Sequence, residues 1–187
     1  MESLDDILLD AEEKMSKSLE VLGDQFSGIR TGKASPALVE NVKVNYYGAA
    51  TRLREIAGIS TPEPRLIVIN AYDPTALPEI EKGILAANLG VTPINDGRLI
   101  RVPIPELSEE RRAEMIKLAR RLAEDARVAV RNVRRDANEH IKSIQKSGKI
   151  TEDERKSGLD EIQKSTDEYI GKIDAHLKSK EAEVTEV

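Results

Sequence analysis

All eight prolines of this chain lie between Pro36 and Pro105, although the segments on either side make up more than half of its 187 residues. Proline fixes φ near −65°, has no N–H to donate and clashes with the preceding helical turn, so it is excluded from helix interiors. The two proline-free flanks are therefore able to form uninterrupted helices, and the middle is not. This pattern predicts one architecture from the two flanks and another from the segment between them.

Apolar periodicity supports that division. Leu8, Met15, Leu22 and Ile29 recur every seven residues, with Leu4, Ala11, Leu19 and Phe26 between them, which predicts a helix from about Ser3 to Ile29. The second flank opens at Ser108, a good N-cap, with Glu109 and Glu110 in the first turn, where the helix dipole favours anions. Its stripe runs Ala119, Leu122, Ala126, Val130, Val133, Ala137, Ile141 and Ile144. Gly148 supplies a stop, and Thr151 to Glu154 form a capping box that starts a third helix with the stripe Leu159, Ile162, Tyr169, Ile173 and Leu177. Helices of roughly 30 to 40 residues would each reach ~45 to 60 Å. Aromatic residues are only 3% of the chain and charged residues 34%, a balance suited to long solvated helices rather than a thick globular core. The fold class expected is α+β: an elongated three-helix bundle from residues 1–30 and 107–187, with a small α/β domain, mixed sheet plus helix, inserted over 31–106.

Within the insertion Val42, Val44 and Tyr46 alternate, Arg65 to Ala71 reads as a buried strand, and Asp96-Gly97 makes a hairpin turn before Leu99 to Val102. Asp73-Pro74 opens a short helix, from about Thr75 to Asn88, ended by Gly90. The insertion joins the bundle through two short connections, which predicts a hinge at Arg30, Thr31 and Gly32 on one side and Pro103, Ile104 and Pro105 on the other. Taken alone, Gly32 is equally an ordinary helix stop.

Chemistry is sparse. The chain has no cysteine, which removes disulfides, thiolate nucleophiles and cysteine-held zinc. His140 and His176 are the only histidines, both on expected long helices, and no zinc-protease, nucleophilic-serine or phosphate-loop motif accompanies them. The acidic run Glu152-Asp153-Glu154 is accounted for by the helix N-terminus it occupies. No catalytic residue, metal site or cofactor is expected, and the chain does not read as an enzyme. There is no apolar run of about 18 residues, and the first residues (Glu2, Asp5, Asp6, Asp10) are acidic where a secretory or mitochondrial leader would be basic. The expectation is a cytoplasmic protein, a monomer in solution without a membrane partner, whose mature chain starts where the sequence does.

The formal net charge is −5, but it is unevenly distributed. Residues 1–29 carry two lysines against eight acids, and residues 150–187 six basic against eleven acidic residues, whereas residues 107–146 carry eleven basic against seven acidic. Local field, not total charge, is what a partner meets. At about 100° per residue, with Arg131 at zero, Arg120, Arg127, Arg134, Arg135, Lys117 and Lys142 fall within about 60° either side, with only Glu124 to neutralise them and the apolar stripe nearly opposite. Such a face can be a solvated surface whose arginine stems shield the core. Arginine, however, suits bidentate phosphate contact, and an acidic remainder would orient the molecule against a polyanion. No signature of a single-strand RNA reader is present, so recognition of folded RNA by shape and phosphate position is the better expectation. The alternative from another class is a helical-bundle structural adaptor for a protein partner.

The thirteen residues from Ala126 to Asn138, ARVAVRNVRRDAN, resemble the signature of ribosome recycling factors. Arg30 to Pro36, Tyr46-Tyr47-Gly48, Ile100 to Pro103 and Glu109 to Arg112 look like the same family in order and spacing, so the resemblance covers nearly the whole chain. It implies an L-shaped, two-domain protein of about tRNA dimensions. Such a protein binds the large ribosomal subunit through 23S-type rRNA and, with the translocation GTPase elongation factor G, splits the post-termination complex. On this resemblance Arg111, Arg131, Arg134 and Arg135 sit at positions associated with rRNA contact, Arg131 and Arg134 foremost, and together with Arg112, Arg120, Arg127 and Asn138 they make up the expected RNA-binding set. Lys33 stands where the family commonly has arginine, and Arg52 where proline is frequent.

Overall fold

The computed structural model describes residues 3–186, so the extreme ends of the expected bundle, residues 1, 2 and 187, lie outside it. The chain forms two compact units, one of residues up to Ile29 together with Ala113–Glu183, the other of Arg30–Arg112 together with the residues from Val184 on.

The first unit holds three long helices: α1 (Leu4–Ser27), α4 (Glu109–Lys146, of which the first turn belongs to the second unit) and α5 (Glu152–Thr185). Their ends form where the local chemistry requires. The Ser3 hydroxyl accepts from Asp6 N–H at 3.1 Å and caps α1, and the Ser108 hydroxyl accepts from Arg111 N–H at 3.2 Å and caps α4. The capping box of α5 is complete, with Glu154 N–H donating to Thr151 Oγ1 (3.1 Å) and Thr151 N–H donating to Glu154 Oε2 (2.7 Å). Ile7 and Ala11 of α1, Ala137, Ile141 and Ile144 of α4 and Ile162 of α5 share one buried cluster, so all three helices spend their apolar stripes on each other. In α1 the buried residue of the first turns is Ile7, not Leu8, which is half-buried. Thr166, buried in α5, satisfies its hydroxyl by donating to the Ile162 carbonyl at 2.8 Å.

The second unit contains strands β1 (Lys43–Tyr46), β2 (Ala49–Arg52), β3 (Ala57–Glu63), β4 (Leu66–Ala71), β5 (Ile94–Asn95) and β6 (Ile100–Pro103), with helices α2 (Leu53–Ile56) and α3 (Leu77–Ala86). β1 and β2 make a hairpin whose two turn residues, Tyr47 and Gly48, both have positive φ (50° and 83°), the turn that matches strand twist. The remaining strands form a sheet in the order β3-β4-β6-β5. Helix and sheet combine as expected, but every hydrogen-bonded strand pair is antiparallel. The reason is topological: after α3 the chain enters the β5–β6 hairpin, and its second strand, β6, takes the place beside β4. Ile67, Ile69, Ile100 and Val102 of the sheet pack with Ile80 and Ile84 of α3 and Val44 of β1 in one core. Gly83 lets α3 approach β1: a Cβ there would stand 3.0 Å from the Lys43 carbonyl oxygen and 3.3 Å from Val44 Cγ2.

Among the described residues no helix is long and apolar enough to cross a membrane.

Candidate nucleic-acid interface

Seven residues (Ala119, Ala123, Ala126, Val130, Ala137, Ile141 and Ile144) are buried along α4. On the helical projection they lie at about −80° to −140° from Arg131, so the apolar stripe is centred roughly 110° from the arginine face rather than opposite it. The consequence is that Arg127 and Arg134, at about −40° and −60°, sit on the shoulder of the helix–helix contact. Both are half-buried.

That geometry lets α5 reach the arginines, contrary to the expectation that Glu124 alone would neutralise them. Arg127, its side chain only 19% exposed, donates to Asp174 Oδ1 through Nε (2.8 Å) and Nη2 (2.6 Å), and to Glu124 Oε2 through Nη1 (3.0 Å). Arg120 donates through Nε to Glu181. The two cross-helix pairs step by seven residues in opposite directions, as antiparallel neighbours must. The next rung in that register would join Arg134 to Asp167, but Asp167 instead accepts from Gln163 Nε2 at 2.9 Å. Among the described residues neither Arg134 nor Arg135 forms an ion pair, and Arg131 pairs only with Glu124, Nη1 to Oε1 at 3.1 Å.

Burial pushes the Arg127 guanidinium towards losing its proton, but the hydrogen bonds it donates to Asp174 and Glu124 outweigh that and hold it charged. Hydrogen bonds from Arg127, then from Arg131, keep the Glu124 carboxyl below its ordinary range. The expected face thus divides into Arg120 and Arg127, committed to α5, Arg131, held by Glu124 alone, and Arg134 and Arg135, whose charge is available outward. Asn138 falls on the same face at about −20°, half-buried, its Oδ1 without a hydrogen-bond partner among the described residues.

Arg111 and Arg112 lie in the first turn of α4 and belong to the second unit. They project at about 160° and −100°, off the cationic stripe. The Arg112 Nε is buried and unpartnered among the described residues. Of the expected hinge residues, Pro103 closes β6 opposite Leu66, and Ile104 is a buried core residue whose N–H donates to the Arg65 carbonyl at 2.7 Å. These two are stitched into the sheet rather than free connection, because the ladder continues one residue beyond the strand. Arg30 lies against Gly90, and Gly32 has φ +77° beside Leu107. Lys33 pairs with Glu186.

Both histidines are exposed. Nothing within α4 marks the acidic partners Asp174 and Glu181; the signal that points to them is their seven-residue spacing on α5, which mirrors that of Arg120 and Arg127.

The family model described as ribosome recycling factor matches residues 22–184. The ribosome-recycling factor of Natranaerobius thermophilus is 50% identical over 182 residues, 97% of this chain and 99% of that protein, and that of Geobacillus kaustophilus is 52% identical over 181 residues, 97% and 98%. A solution structure of the ribosome recycling factor, 43% identical, superposes with a TM-score of 0.82 over the full length of both chains. A second similar structure, TM-score 0.69 at 42% identity over 98% of this chain and 100% of its own, comes from models of the T. thermophilus factor and the E. coli elongation factor G bound to the E. coli post-termination complex. With the arginine block intact and the likeness extending over nearly the whole chain, this protein belongs to the ribosome recycling factor family.

Proposed function

We propose that after termination this chain binds the intersubunit region of the large ribosomal subunit and, together with elongation factor G, splits the complex so that mRNA and tRNA leave. The observation that carries this reading is the arginine cluster of Arg131, Arg134 and Arg135 in a bundle whose other two helices are acidic, in a family with a relative bound, like elongation factor G, to a post-termination complex. Arg134 and Arg135, which form no ion pair among the described residues, and Arg131, held only by the exposed Glu124, suit phosphates held at fixed spacing on folded RNA. Arg120 and Arg127, tied to α5, set the stiffness of the platform and contribute to its field. Arg111, Arg112 and Asn138 complete the proposed RNA-binding set. The protein acts as a monomer in the cytoplasm, without cofactor or catalysis of its own.

A subunit-splitting assay with purified ribosomes tests this, with and without the GTPase. Splitting that requires both proteins supports it, and a chain that leaves ribosomes intact while capturing no subunit in a pulldown would favour the adaptor reading instead.

Residues 30–32 and Pro105 form the hinge in this reading, with Pro103 and Ile104 as its anchored edge. Gly32 holds φ +77°, a value closed to proline. Gly32→Pro is therefore expected to leave large-subunit affinity intact while lowering the rate of splitting, measured by light scattering. An unaltered rate would remove the hinge from the account.

A further inference from the structure

Between Lys117 and Lys142 a single carboxylate stands within the arginine face: Glu124 projects about 20° from Arg131, while Asp125, Asp136 and Glu139 fall at about 80° to 140°. Its two oxygens are divided between two arginines, Oε2 to Arg127 Nη1 (3.0 Å) and Oε1 to Arg131 Nη1 (3.1 Å).

Fold stability does not explain this placement. The Glu124 side chain is 53% exposed and that of Arg131 38%, and ion pairs so open to water add little to folding. Nor does Arg127 need Glu124, since Asp174 already takes two of its N–H groups. What Glu124 changes is the charge that a polyanion meets at Arg131. Resting on the arginine-face reading above, we propose that Glu124 is an affinity-limiting residue: it neutralises Arg131 in the free protein, and an incoming phosphate must displace it. A protein that must leave its site after one splitting event is served by a contact that is specific but not maximal. A fixed countercharge lowers affinity without removing the arginine that reads phosphate position. Hydrogen bonding from both arginines keeps the carboxyl ionised at neutral pH, so the device is constant rather than pH-switched.

The test is Glu124→Gln, which keeps the length and shape of the side chain and one of its two acceptor oxygens while removing the charge. Binding of the intact chain to purified large ribosomal subunits is measured across a potassium chloride series, beside Arg131→Ala. The substitution is expected to tighten binding on the order of fivefold at low salt, the effect of one unit charge a few ångströms from a phosphate. The advantage shrinks as salt rises, because the log–log slope steepens by roughly 0.7 to 0.9 for each phosphate newly engaged. Unchanged or weaker binding by Glu124→Gln, with Arg131→Ala still weakening it, overturns the proposal and spares the arginine face. If Arg131→Ala is also without effect, the face itself is wrong.

Discussion

Replacing Arg131 and Arg134 together with alanine is expected to weaken binding to the large ribosomal subunit by roughly 1 to 3 kcal/mol for each lost phosphate contact, leaving the helices intact. The two residues lie one turn apart on α4, so their effects need not add in full. Folding is spared because neither side chain is part of the buried cluster and neither pairs with α5. The contrast is with Arg127. Its removal would also leave Asp174 without that partner and expose the shoulder it covers, so a loss of binding there would be mixed with a loss of packing. Equilibrium binding together with far-UV circular dichroism separates these cases. Wild-type affinity in the double variant, with normal helicity, would show that the outward arginines are only solvated surface.

Ile69→Ala is expected to destabilise the second unit by about 2 to 5 kcal/mol, the cost of opening a cavity in a packed core. Ile69 is fully buried at the middle of β4, opposite Ile59 on β3 and Ile100 on β6. Ile69→Val should cost only about 0.5 to 1.5 kcal/mol, because most of the packing survives. The chain has no tryptophan, and three of its four tyrosines (Tyr46, Tyr47 and Tyr72) lie in this unit, so urea unfolding followed by tyrosine fluorescence reports mainly on it. A cost below that of Ile69→Val would contradict the core described for the sheet. If the second unit is the part that acts, splitting should also fall further than large-subunit binding.

The long helices were legible because their ends are set by local chemistry. Ser108 and the Thr151–Glu154 box cap α4 and α5 by the hydrogen bonds expected of their side chains, and Ser3, expected only as the start of α1, caps that helix in the same way. Asp73 likewise starts the helical segment before α3, accepting from Thr75 N–H at 3.0 Å, with the regular helix following three residues on. The sequence does not mark strands β2 and β3, for an equally physical reason. β2 buries no residue fully and β3 only Ala57 at its start, and β3 is an edge strand interrupted near Pro62, so neither shows the alternation that marks a half-buried strand.

At the candidate site, the arginine stripe and the isolated Glu124 were visible from helical spacing alone. The division of the stripe was not. Whether an arginine is committed depends on how far the cationic face lies from the apolar one, and an error of about 70° in that angle separates a free Arg127 from a buried, paired one. Asp174 and Glu181 approach from a helix some fifty residues away, and their partners follow from the antiparallel register of α4 and α5. Periodicity within one helix carries no information on that register.

The central claim is that the outward arginines of α4 meet RNA phosphates. Its most direct test is the affinity of the intact chain for isolated large ribosomal subunits over a range of potassium chloride concentrations. With about three phosphates engaged, log affinity should fall linearly with log salt at a slope of roughly −2 to −3, and the slope should be shallower in the Arg131→Ala, Arg134→Ala variant. An affinity independent of salt, identical in the wild type and the variant, would contradict the claim.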